Sequence, residues 1–217
     1  MKRILKKILT LLKYGMIVFL AFIFLYFVWL REWQMTWGAS DEDVTRHMAG
    51  DELLIDPQFN ATRAVKINAP PEKIWPWIVQ MGYKRAGFYS YDKLDNAGIP
   101  SSVHIIPEYQ DLKVGDPVRL SRRSFMKVLE IEPNTSTLWV FQPKPPLGLT
   151  WSWYLYKIDS VHTKLVSRVR WKYRIKNARS LITYSLMDVF EIVMMRKCLL
   201  GIKQRAEAGI DHAGILR

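Results

Sequence analysis

No charged side chain occurs from Tyr14 to Leu30, and a helix of that composition cannot be left against water on any face. At about 1.5 Å per residue the run covers roughly 26 Å, near the thickness of a bilayer's hydrocarbon core, and Leu11 and Leu12 extend it if Lys13 snorkels to the headgroups. Lys2, Arg3, Lys6, Lys7 and Lys13 precede it with no acid among them, and Trp29, Trp33 and Trp37 lie at its far end. Basic residues favour the cytoplasmic flank, and indoles favour the membrane interface. The expectation is a single-pass cell-membrane protein with a cytoplasmic N-terminus and its domain on the non-cytoplasmic side. A cleaved signal peptide is the competing reading, since Gly38, Ala39 and Ser40 offer small residues for cleavage, but the apolar run is long for one. The organisation expected is a basic end at 1–13, a transmembrane helix at 14–30, a stalk and entry loop at 31–61, one domain at 62–208 and a tail at 209–217.

The chain beyond the anchor is long enough for one domain with a real core. Hydrophobic residues make up 49% of the chain and charged ones 24%, which excludes disorder, and the many aromatics can line a cavity as well as fill a core. Cys198 is the sole cysteine, so no intramolecular disulfide forms, and its helical apolar neighbours mark it as a buried small hydrophobe. The formal charge of +12 comes largely from two blocks, the N-terminal one and the seven basic residues from Lys164 to Arg179, again without an acid. Nucleic acid and anionic lipid are the usual partners of such a chain, and a basic block abutting an apolar helix favours lipid.

The domain reads as α+β. Thr62 to Asn68 alternates as a first strand with Val65 and Ile67 on one face. Pro71 opens a helix carrying Ile74, Trp77, Ile78 and Met81 on one side, although Pro76 should distort it. From Tyr83 to Asp116 periodicity is lost among turn formers and aromatics, and loops of this length are usually functional or mobile. Five strands are expected next, over 118–120, 125–132, 138–142, 150–158 and 164–175, with short separators that make the sheet antiparallel. In the last, Leu165, Ser167, Val169, Trp171, Tyr173 and Ile175 share a face toward core or cavity. Lys164, Arg168, Arg170, Lys172, Arg174 and Lys176 share the other, read as a solvated outer face, with contact to anionic headgroups or nucleic acid as alternatives. A long helix from about Ser180 to Ala208 ends the domain, apolar over so wide an arc that it must be covered on several sides.

The chain resembles the START-like, polyketide-cyclase/dehydrase-like superfamily known as SRPBCC. The residues that carry the resemblance run from Ile67-Asn68-Ala69-Pro70-Pro71-Glu72 through Trp77, with Met81-Gly82, Gly87-Phe88-Tyr89-Ser90-Tyr91-Asp92, Leu94-Asp95-Asn96, Ile106-Pro107-Glu108-Tyr109-Gln110, Val114-Gly115-Asp116 and Gly201 to Glu207. It spans about 62–208. The resemblance implies a helix-grip fold, a curved antiparallel sheet around the long C-terminal helix, and a deep apolar cavity between them that takes a hydrophobic small molecule or lipid. It does not by itself imply a reaction, and no cofactor is expected. Within that fold the candidate ligand contacts are Trp77, Tyr89, Tyr91, Trp153, Val169, Trp171, Phe190 and Met194.

His47, His104, His162 and His212 are scattered without metal-ligand spacing, and no phosphate loop, nucleophile elbow or paired-cysteine motif occurs. The long loop offers Asp92, His104 and Glu108 as candidate catalytic groups, since a His and a carboxylate at a pocket mouth can serve as general acid and base for cyclase-, dehydratase- or hydrolase-like chemistry. The same residues can instead be structural, with Asp92, Asp95 and Asn96 capping a short helix that ends at Gly98 and His104 bonded to a backbone carbonyl. Asp188 and Glu191, three residues apart, share a side of the last helix, where either could face the cavity or an arginine. A binding module is the favoured reading and an enzyme the alternative.

Overall fold

The computed structural model describes residues 2–141 and 148–208, and the chain divides into two compact units, 1–35 and 36–217. The tail 209–217, with His212, and the end of the expected 138–142 strand lie outside the described residues.

In the first unit, α1 (Lys2–Leu25) runs into a π-helical turn, Tyr26–Leu30, and then into α2 (Arg31–Met35). The wider turn is closed by the Arg31 amide donating to the Tyr26 carbonyl, while Leu25 and Arg31 keep right-handed helical dihedrals. Gln34 donates to the Tyr26 hydroxyl at 2.7 Å. Among the described residues no helix is both long and apolar enough to cross a membrane. The transmembrane helix expected over 14–30 is therefore not present as one element. Its uncharged residues are divided at Leu25, and the α-helix that holds the first part of them also holds the basic N-terminal block.

In the second unit six strands form one antiparallel sheet in the order β1-β6-β5-β4-β3-β2. They are β1 (Phe59–Ile67), β2 (Pro117–Arg119), β3 (Phe125–Glu132), β4 (Ser136–Phe141), β5 (Leu149–Lys157) and β6 (Thr163–Trp171). β2 to β6 meander, and β1 closes the row by pairing with β6 along its whole length, from Phe59 opposite Trp171 to Ile67 opposite Thr163. The β3–β4 pairing shifts register between Val128 and Glu130, the mark of an extra residue in one strand. The outer segment contributes α3 (Asp41–Thr45), which Ser40 caps. α4 (Pro71–Val79) comes after β1, with Pro71 at its first turn and Ile74, Trp77 and Ile78 buried. Pro76 is accommodated within it. The sheet's inner face meets a long C-terminal helix, Ala178–Glu207, whose start is fixed by a reciprocal cap between Asn177 and Ser180. With the short α5 (Asp92–Asp95) lying in the long loop after α4, this helix is α6. It packs on β1 and α4, and its Ile192, Met195, Leu199 and Ile202 are buried. Gly201 permits the closest approach, because a Cβ there would lie 2.2 Å from the Tyr89 carbonyl oxygen.

The outer face departs most from expectation. The residues expected to form a stalk and entry loop fold back over the sheet from Thr36 onward, with α3 near their start. Met48 packs on Ala64 and Val166 to form a small second core, flanked by Ala39, Tyr154 and Tyr156. Alternation along β6 is real, but its basic face is not wet. Arg168 is 3% exposed and binds Thr62 Oγ1, the carbonyls of Asp43, Val44 and Arg46, and the Asp51 carboxylate. Lys164 pairs with Asp43 and Arg170 with Asp51. These cations are held by the chain's own acidic segment, which corrects the reading of the 164–170 stripe as a surface for solvent, headgroups or nucleic acid. Regular strand also ends at Trp171, four residues before the expected limit.

Candidate functional site

Odd-numbered residues of β1, β5 and β6 face inward in register, so Ala61, Val169 and Trp151 lie side by side across three strands. Between this face, α6 and the loop after α4 lies a cavity of about 330 Å³, within the range of small-molecule sites. Its wall is predominantly apolar, with Phe59, Phe88, Met126, Trp151, Val169 and Met195 prominent. Phe88 stacks on Trp151 with ring centroids 6.3 Å apart. The cavity opens beside the first half of α6, where Met187 and Phe190 line it while remaining 42% and 53% exposed.

The loop that closes one side is tied down where it touches the core. Gln80, wholly buried, donates to the Tyr89 hydroxyl at 2.9 Å and the His104 carbonyl at 3.1 Å, and accepts from the Ile106 amide and the Gln110 side chain. Tyr89 adopts φ of 57°, which turns its ring beneath the Arg205 guanidinium, 4.5 Å away. Burial pushes the Tyr89 hydroxyl up from its ordinary range. Asn96, fully buried, accepts from the Lys84 amide and donates to the Ile99 carbonyl. Asp92 begins α5 and accepts from Ser101. The Gly98 amide returns to the Asp92 carbonyl.

Of the expected ligand contacts, Val169, Trp171, Phe190 and Met194 line the cavity. Trp77 and Tyr89 are buried together in an edge contact at 5.8 Å, Trp153 lies fully buried against Trp139 and Trp151, and Tyr91 is exposed. None of these four belongs to the wall. The catalytic candidates are not brought together there either: His104 and Glu108 are exposed, and neither they nor Asp92 touch the cavity.

The polar groups that do reach the wall are Ser90, Asp95, Asp188 and Glu191. Ser90 donates to the Met194 carbonyl at 3.0 Å. Arg63, 1% exposed, pairs with Glu191 at 2.5 Å. Burial holds the Glu191 carboxyl above its usual range despite that pairing, and Asp188 pushes the same way. Sequence reasoning does not single out Arg63, although it shares strand parity with Val65 and Ile67, and a charge at that parity is the signal. Asp188 and Glu191 are legible from their three-residue spacing.

Asp95 is pushed up to about 6, first by burial and then by the charge of Asp92. Its neutral form is favoured in the folded state, so it destabilises progressively as pH rises from the ordinary aspartate value of 3.8 through about 6. Asp95→Asn is expected to match wild type in melting temperature below that window and to exceed it above. Thermal unfolding of both proteins across pH checks this, and a difference that does not grow with pH contradicts the assignment.

Strand order, register and the gripped C-terminal helix decide the architecture. The fold is a START-like helix grip. No family model and no curated protein matches the sequence. Solved structures similar to it include a polyketide-cyclase-like protein of Corynebacterium glutamicum, 13% identical with a TM-score of 0.47 over 71% of this chain and 95% of that one. Another is the Aha1 dimer of Colwellia psychrerythraea, at 17% identity and 0.40 over 70% and 98%. At such identities and scores the fold rests on the chain's own topology.

Proposed function

We propose that this domain is a binding module that takes up an apolar small molecule or lipid in the cavity, and that the N-terminal helical segment holds it at a membrane. The observation that carries the first part is the cavity itself, of ligand size and walled mainly by aromatic, aliphatic and methionine side chains. Catalysis draws less support, since the candidate acid-base groups Asp92, His104 and Glu108 stand apart from the wall. Native mass spectrometry of the detergent-extracted protein should find a co-purifying apolar molecule, and a spectrum of the bare chain, with no uptake of an added long-chain fatty-acid analogue, would end this reading.

Support for the anchor is the side-chain distribution around the first unit's helix. Met16, Phe19, Leu20 and Phe24 are each more than half exposed, and Val28 and Trp29 continue the apolar surface through the π turn. A helix apolar all round requires a cover, and a bilayer supplies one when the helical backbone continues from one geometry into the next. Leu20→Lys with Phe24→Lys is expected to release the protein from membranes, because each charge at mid-bilayer costs about 2.5–3.5 kcal/mol on insertion scales. A double variant that still pellets and resists alkaline carbonate would contradict the anchor.

A further inference from the structure

The first half of α6 is unlike the second. Ile182, Leu186, Val189 and Val193, spaced by four, three and four residues, form one stripe and are 60%, 65%, 41% and 46% exposed. Exposed apolar stripes of this kind mark interaction surfaces. The segment leading into the helix adds exposed Arg174, Lys176 and Arg179, with Ile175 among them and no acid between Lys164 and Arg179. Unlike Arg168 and Arg170, these three lie beyond the strip covered by Asp43 and Asp51. At the same edge Tyr173 stacks on Tyr184 at 3.9 Å, with Trp171 edge-on to both. Apolar stripe, cations and aromatic cluster meet where Met187, Phe190 and Trp171 rim the cavity.

We propose that residues 172–193 form a surface that docks on an anionic lipid bilayer, with the stripe of α6 in the headgroup boundary and Arg174, Lys176 and Arg179 on the phosphates. Positive charge next to an apolar helix face complements a negatively charged leaflet, and Trp and Tyr favour that interface. The cavity mouth then opens toward lipid instead of water. The docking surface rests on the apolar-ligand reading only for what passes through that mouth.

The test reads the depth of a label on the full chain in vesicles, so a failure of ligand uptake leaves it unaffected. Leu186→Cys carries an environment-sensitive fluorophore. Val161→Cys, at a position 55% exposed, is its control. Val161 lies in the β5–β6 turn beyond the Lys157–Thr163 pair, at the opposite end of those strands from Trp171. Native Cys198 is buried, and wild type treated with the dye corrects for any labelling there. In vesicles of phosphatidylcholine with phosphatidylglycerol, nitroxide-bearing lipid should quench the Leu186 label and spare the Val161 label. Each basic residue near such a surface is worth about 1 kcal/mol, or about fivefold, so Arg174→Gln, Lys176→Gln and Arg179→Gln together should lower the docked-to-undocked ratio on the order of a hundredfold. Quenching of the Leu186 label by aqueous iodide as freely as the control would overturn the proposal. So would protection from both quenchers, which means a protein covers the stripe, or lipid quenching that the triple variant leaves unchanged.

Discussion

Replacing Arg168 with methionine is expected to cost about 3–5 kcal/mol of stability, the range for removing one partner of a buried charge pair. The guanidinium is 3% exposed. Its Nε donates to Thr62 Oγ1 at 2.8 Å, its Nη2 to the Asp43 and Val44 carbonyls at 2.8 and 2.9 Å, and its Nη1 to the Arg46 carbonyl at 2.9 Å and to Asp51 at 2.5 Å. One planar fork therefore ties the covering segment to the sheet at four of its residues, from Asp43 to Asp51. Methionine fills similar volume without donors, leaving buried carbonyls and a carboxylate that Arg170 alone must neutralise. Arg168→Lys should fail nearly as badly, since a point charge on a flexible stem cannot replace the fork. Denaturant unfolding measures the loss. Limited proteolysis should cut within 40–56 before the sheet yields. A change no larger than the roughly 0.5 kcal/mol of ordinary surface positions would mean that the segment is held by Met48 and its neighbours, with the arginine incidental.

That arginine also marks the limit of what the sequence discloses. Alternation along β6 arises from the two-residue period of a strand, so the separation of Leu165, Ser167 and Val169 from Arg168 and Arg170 is readable directly. The occupants of each side are not. Asp43 and Asp51 precede Arg168 by more than a hundred residues, in a stretch whose short α3 and turns have no sustained period, so neither their fold nor their target has a local signal. The site divides the same way. Val169 and Trp171 by strand parity, and Phe190 and Met194 by helical spacing, fall on faces that the cavity shares. Tyr89 takes its place from a left-handed backbone and a close pass by Gly201, and Trp153 from two flanking indoles; these are tertiary facts. For the N-terminal run, composition specifies a helix that water cannot cover but not where its hydrogen bonding changes register. The π turn after Leu25 is a property of the backbone that hydropathy does not encode.

Val169→Trp is expected to abolish ligand uptake while leaving most of the stability in place. Val169 is 6% exposed, lies opposite Ala61 on β1 and Trp151 on β5, and faces the cavity. An indole there grows into space of about 330 Å³ in place of packed atoms, so the overpacking cost of about 1–3 kcal/mol for a filled core should be largely avoided. Affinity falls about tenfold for every 1.4 kcal/mol of lost contact, and a ligand deprived of the cavity's centre loses several such increments. Val166 supplies the control on the same strand, wholly buried on the outer face against Met48 and Ala64. Val166→Trp should incur the full overpacking cost and leave the binding site intact. The measurements are thermal melts and titration of a fluorescent long-chain fatty-acid analogue for wild type and both variants. Probe binding lost at Val169 and kept at Val166, with the stability losses reversed, is the expected pattern. If both variants lose stability alike and wild type takes up no probe at any concentration, the space between sheet and helix holds no ligand and the binding-module reading fails.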